Sequence, residues 1–200
     1  TEIYKGMDLL DNKLGGTAPL DVVINAPKNW ITDIEEESFD DDFGFEDEES
    51  TYYGYLWNTI SLEKLEQIHD YLDSLPEIGK VLSVASGIKV ATELKDGEPL
   101  SELDLALVKN MLPEEIKENL LSSYISNDEN QVRISARVIE SAEGLNRNEL
   151  LYEISETLKT DYNLEEEQFR LTGLAVLYNN MLQSLFDSQI GTIVIVFSII

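Results

Sequence analysis

The sequence predicts an α+β fold, with helices packed on one face of an antiparallel sheet, and three observations carry this. Gln131 to Glu140 (QVRISARVIE) alternates Val132, Ile134, Ala136 and Val138 with Arg133, Ser135 and Arg137, the period-two pattern of a half-buried strand. Two segments near 61–75 and 147–160 place apolar residues at helical spacing behind residues suited to cap a helix. Strand and helix signals also recur in the same order in both halves of the chain, as two copies of one plan would.

In chain order, Ile3, Met7, Leu10 and Leu14 lie four, three and four apart, which makes one helical face, and Gly15-Gly16 ends it as a C-terminal cap. Leu20 to Ala26 (LDVVINA), bracketed by Pro19 and Pro27, reads as a strand. Residues 33–49 hold eleven acids in seventeen positions and no base, so they are expected to form a mobile loop. Ser61 is the expected cap of a helix that buries Leu62, Leu65, Ile68, Leu72 and Leu75 and stops before Pro76. Lys80 to Ser86 (KVLSVAS) reads as a strand, and a helical connector follows over 87–126. In that connector Ser101 and Asp104 form a capping box, and Pro113 opens a second helix. Asn146 and Glu149 cap a helix carrying Leu150, Leu151, Ile154 and Leu158, and Phe169 to Thr172 is a short strand ended by Gly173. Leaving out the connector, the order is strand, helix, strand, then strand, helix, strand. This is the βαββαβ plan of a ferredoxin-like split βαβ layer, with four strands expected near 20–26, 80–86, 131–140 and 168–173.

The last stretch has two textures. Leu174, Leu177, Tyr178, Met181, Leu182, Leu185 and Phe186 line one side of an amphipathic helix, and Ile193 to Ile200 is apolar on every face. Eight such residues are too few to cross a bilayer alone. They read either as a buried final strand or as the start of a membrane helix that continues in a longer parent protein. The second reading is favoured, because a soluble domain seldom finishes on an uncapped block of eight such residues.

Composition narrows the function classes. Forty acids against 14 bases give a net charge of -26, and such a surface repels phosphate backbones, so nucleic acid is not an expected partner. With no cysteine there are no disulfides and no thiolate metal sites. His69 is the single histidine and neighbours Ile68 and Leu72, so partial burial explains it and no histidine-based triad can form. A calcium loop starting at Asp40 fails, with Gly44 fifth, Phe45 at the required glycine and Thr51 at the closing glutamate. Gly15-Gly16-Thr17 lacks the spacing of a phosphate loop and precedes a strand rather than a helix. No catalytic, cofactor-binding or metal-binding residue is therefore nominated, and the chain is expected to be non-enzymatic and free of cofactors.

Several segments resemble one family. Leu14-Gly15-Gly16-Thr17-Ala18-Pro19-Leu20-Asp21-Val22-Val23-Ile24 is similar to the start of an extracytoplasmic domain in resistance-nodulation-division (RND) exporters. The nearest branch is the predicted lipid or hydrophobe exporters related to the mycobacterial large membrane proteins (MMPL-like). Leu75 to Ser83 (LPEIGKVLS), Leu112 to Glu115 (LPEE), Gln131 to Ser135 (QVRIS) and Thr172 to Met181 (TGLAVLYNNM) follow in the order that branch shows. The acidic stretch departs from the family pattern.

The resemblance implies a periplasmic domain of a proton-driven exporter in a bacterial inner membrane, handling a hydrophobic or lipid-like substrate and relaying conformational change. It implies a helix over 1–15 leaving a preceding membrane span, a ferredoxin-like domain over 16–173, and an amphipathic helix over 174–200 leading into a further span. The implied partners are the parent's membrane helices, its paired periplasmic domain and a hydrophobic small molecule or lipid. The proton-coupling residues of such exporters lie in membrane helices outside this chain. Self-association through the apolar tail is expected when no membrane is present. The competing expectation is a non-catalytic protein-binding or scaffold module of a membrane complex.

Overall fold

The computed structural model describes residues 2–27, 58–101, 104–105 and 122–199. The acidic stretch 33–49 and the helix expected at Pro113 lie outside them. The fold is α+β. Helix α1 (Glu2–Leu14) leads into strand β1 (Ala18–Asn25), and helices α2 (Thr59–Ser74) and α3 (Val84–Leu94) follow. Strand β2 (Gln131–Val138), helix α4 (Arg147–Thr160), strand β3 (Phe169–Thr172) and helix α5 (Leu174–Ile199) complete the order.

The three strands form one antiparallel sheet in the order β2-β1-β3. Ile24 stands opposite Val132 and Phe169, and Val22 opposite Ile134 and Leu171, so the apolar sets of all three strands share one face. Helices α2 and α4 cover that face. Leu62, Leu65, Ile68 and Leu72 of α2 and Leu150, Ile154 and Leu158 of α4 join Leu20, Val22, Ile134 and Val138 in the core. Tyr71 ties the two helices together by donating its hydroxyl to Thr157 Oγ1 at 3.2 Å. The opposite face carries Asp21, Val23, Arg133, Arg137 and Arg170, which explains the clean alternation along β2.

The expected strand over 80–86 is corrected. Ile78 and Leu82 make isolated bridges to β2, at Val138 and Ser135, and Ser83 turns the chain into α3. A ladder cannot run between the two bridges because Lys80 N donates to Gly15 O instead of to β2. Ser83 Oγ accepts from Ala85 N and Ser86 Oγ accepts from Ser83 N, a capping box that favours helix over strand from this point. The connector's first helix thus starts at Val84, three residues before the expected boundary. The cap of α2 is also corrected, from Ser61 to Asn58, whose Oδ1 accepts from Ser61 N at 2.7 Å. Ser61 sits inside the first turn and is buried. The strand expected at 131–140 ends at Val138, and α5 runs unbroken from Leu174 through the apolar tail, so the final-strand alternative is not what forms.

His69 is 6% exposed, and its Nδ1 lies 2.9 Å from Ser83 Oγ. That hydroxyl also accepts from Ala85 N, so the Ser83 side chain links the imidazole to the first turn of α3. Burial first, then Lys89, hold the imidazole below its ordinary value, against the opposing pull of Asp70 and Asp73. A base depressed on folding stabilises the fold fully above its unfolded value of about 6.5 and loses that contribution as the pH falls through the folded value. The melting temperature is therefore expected to drop between pH 7.5 and 5. The drop should be smaller in His69→Gln, compared by calorimetry in the same buffers.

Candidate functional site

The feature that stands out is a junction at one end of the sheet, where both terminal helices are rooted. Ala18 opens β1 opposite Val138, and Thr172 closes β3 opposite Asp21. The start of β1 and the end of β3 are therefore neighbours, and α1 and α5 leave from the same end of the sheet.

Four glycines make this convergence possible. A Cβ on Gly79 would lie 1.9 Å from Gly15 O, and one on Gly16 would lie 2.8 Å from Arg137 O. Gly173, at φ 108°, turns β3 into α5 where a Cβ would lie 2.6 Å from Pro19 O. Backbone meets backbone at each point, which leaves no room for a side chain. The segments around Gly15-Gly16, Gly79 and Gly173 thus come together at one end of the sheet. Gly79→Ala is expected to lower stability by about 2 kcal/mol through overpacking. Gly87→Ala, in α3 with nothing within 4 Å of the added carbon, is expected to raise it by up to about 1 kcal/mol. Urea melts of the two variants side by side check both signs.

A carboxylate fastens α1 to the junction. Asp11 is 3% exposed, while every other α1 side chain described is exposed. Its Oδ1 accepts from Thr17 Oγ1 at 2.6 Å, and its Oδ2 accepts from Ser141 N at 2.6 Å and from Ser141 Oγ at 2.7 Å. Its carbonyl accepts from Gly16 N at 2.8 Å. Burial alone would push this carboxyl up; the hydrogen bonds from Thr17 and Ser141 outweigh it and hold the group below the usual carboxylate range. Ser141 lies just past β2 and Thr17 just before β1, so one side chain ties α1 to both of these strands. Nothing in the sequence marks this contact, which joins positions 130 residues apart.

The two helices rooted here are apolar and uncovered. Ile3, Met7, Leu10 and Leu14 of α1 are between 50% and 77% exposed. On α5 only Ala175 and Asn179 are buried, and each described side chain from Asn180 onward is exposed. Asp187 is the single charged residue between Leu174 and Ile199. Among the described residues, Leu174–Ser198 is the one helix long and apolar enough to cross a membrane. At 1.5 Å per residue α5 extends about 39 Å, against a hydrocarbon layer of about 30 Å. Water disfavours so much contiguous apolar surface, and the arrangement suits insertion into lipid.

Among the described residues no group of three or more His, Asp or Glu side chains could hold a metal ion. Comparison with known proteins finds no matching family model, no matching curated protein and no matching solved structure.

Proposed function

We propose that this chain is a non-enzymatic extracytoplasmic domain seated on a membrane through α1 and α5. In this reading it serves an RND-type exporter of the MMPL-like branch, in a bacterial inner membrane with the domain facing the periplasm. The observation that carries the reading is the shared root of two exposed apolar helices at one end of the sheet. A domain held between two membrane segments must send both connections to the same side, and a shared root of α1 and α5 at one end of the sheet supports that. The spatial order of the chain supports the family's fold as well. Residues 78–82 lie against β2 as an irregular fourth position, giving the order β3, β1, β2, 78–82 with α2 and α4 on one face. A regular strand at 78–82 would make that the order of the ferredoxin-like split βαβ, with β2 inserted between β1 and the segment that follows α2, which supports the reading.

The role follows from the junction. Motion of the membrane segment that continues α1 or α5 reaches the sheet through Asp11 and the glycine contacts, and the sheet passes it to whatever the domain holds. The substrate class is hydrophobic or lipid-like, and the partners are the parent's membrane helices and its paired periplasmic domain. Extraction and mass spectrometry of the intact parent protein test the function. A copurifying lipid or other apolar molecule is expected, retained by the parent and lost when this domain is deleted. A parent gene without two clusters of membrane spans around paired domains would refute the exporter assignment.

A further inference from the structure

The sheet treats its two edges differently. On β2 most of the outward backbone groups have partners among the described residues. Gln131 N donates to Ser126 Oγ, and Ser126 N donates to Gln131 O. Arg133 N donates to Tyr124 O, Ser135 exchanges both bonds with Leu82, and Arg137 O accepts from Gly79 N. On β3 they do not. Asn25 N donates to Gln168 O, which sets the alternation of the ladder: residues 168, 170 and 172 bond to β1, and Phe169 and Leu171 point their N–H and C=O groups away from it. No described residue meets those four groups. A groove of about 410 Å³ runs beside this edge, with Leu151, Tyr152, Phe169, Leu171 and Val176 in its walls.

We propose that the free edge of β3 is a strand-addition site for an extended segment of a partner polypeptide with an apolar-acidic-apolar pattern. Main-chain bonds to Phe169 and Leu171 supply the pairing. Because side chains alternate, the residues opposite Phe169 and Leu171 enter the groove, and the residue opposite Arg170 lies on the open face of the sheet. Arg170 and Arg133 flank Val23 there, both exposed and neither with a carboxylate partner among the described residues. Glu166 at the groove's end is engaged by Lys159 at 3.9 Å. A carboxylate opposite Arg170 complements this charge. A second copy of the chain fits poorly, because twofold pairing through Phe169 and Leu171 sets Arg170 against itself and brings together two chains of net charge -26.

The test uses the full chain in detergent micelles and an acetylated, amidated peptide of Val-Glu-Val flanked by threonines. Binding should slow amide exchange at Phe169 and Leu171 and leave Arg170, already bonded to β1, unchanged. Replacing the peptide's glutamate by lysine should weaken binding about tenfold, as loss of a charge-assisted bond does, and Arg170→Glu should reverse that preference. Leu171→Pro removes an N–H that β1 does not use, so it should abolish binding while the β1 ladder keeps its protection. Unchanged exchange at Phe169 and Leu171 with millimolar peptide would overturn the proposal, as would undiminished binding to Leu171→Pro. A dimer of the free chain that Leu171→Pro dissolves would make the occupant a second copy and refute the partner assignment.

Discussion

Truncation after Gln189 is expected to convert a lipid-bound, self-associating chain into a soluble monomer with an intact sheet. The deleted stretch holds Ile190, Ile193, Val194, Ile195, Val196, Phe197, Ile199 and Ile200 and no charge. At roughly 0.3 to 0.6 kcal/mol for each such residue in a membrane helix, its insertion is worth about 3–4 kcal/mol, several hundredfold in partition. The sheet does not depend on it, because each described side chain beyond Asn179 is exposed and none belongs to the core. Liposome flotation should therefore find the full chain with the vesicles and the truncated chain at the bottom of the gradient. Light scattering without lipid should show aggregates for the first and monomers for the second, with equal far-ultraviolet dichroism per residue after allowing for the lost helix. If the truncated chain unfolds, the tail belongs to the core and the membrane account loses its support.

Asp11→Ala is expected to cost about 3–4 kcal/mol. Three donors lose an ionised acceptor at once, the Thr17 and Ser141 hydroxyls and the Ser141 N–H. A hydrogen bond to a charged group is worth about 1.5–3 kcal/mol, and the low end applies here because Ser141 is half-buried and Thr17 exposed, so water takes up part of the loss. For a chain of this size a melting temperature lower by about 6–15 °C follows. Because α1 has no other buried side chain among those described, its amides should also exchange faster while those of α2 and α4 keep their order of protection. The pH dependence has a definite sign. A carboxyl depressed on folding contributes its full stability above the unfolded value of about 3.9 and loses it as the pH falls through the folded value. The gap between wild type and Asp11→Ala should thus be constant above about pH 5 and narrow below about pH 3.9. A constant gap down to pH 2 would mean that the charge of Asp11 does not hold α1.

Much of the layer was readable from the chain because its elements are amphipathic. Strand β2 has one buried and one open face, so its alternation is complete, and α2 and α4 each show a stripe of Leu and Ile behind a cap. Lys80 to Ser86 misled because Val81, Leu82 and Val84 suit a strand as well as the start of a helix. The pairing of Ser83 with Ser86 was the available sign of a helix there. Asn58 and Ser61 are equally good caps on composition, and only the geometry of the first turn chooses between them. The apolar tail was ambiguous for a similar reason, since Ile and Val favour sheets while the amphipathic run before it favours a helix that simply continues through Gly191. The junction was the least readable part. Its glycines were visible as helix stop and strand end, but their meeting, and the bond from Asp11 to Ser141, depend on contacts far apart in sequence. The open edge of β3 likewise emerges only once the backbone bonds of β2 and β3 have been traced among the described residues.

The central claim, that the domain sits on a membrane by the end of the sheet where α1 and α5 are rooted, is tested most directly by depth. The chain has no cysteine, so single cysteines at Leu10, Phe197 and Ile60, all exposed, can each carry a fluorescent label. Ile60 lies at the opposite end of the sheet, where α2 begins beside the end of β1. In vesicles containing brominated lipids, the label at Phe197 should be quenched strongly, that at Leu10 at the shallow position, and that at Ile60 only by aqueous iodide. A label at Phe197 as open to iodide as the one at Ile60 would contradict the account.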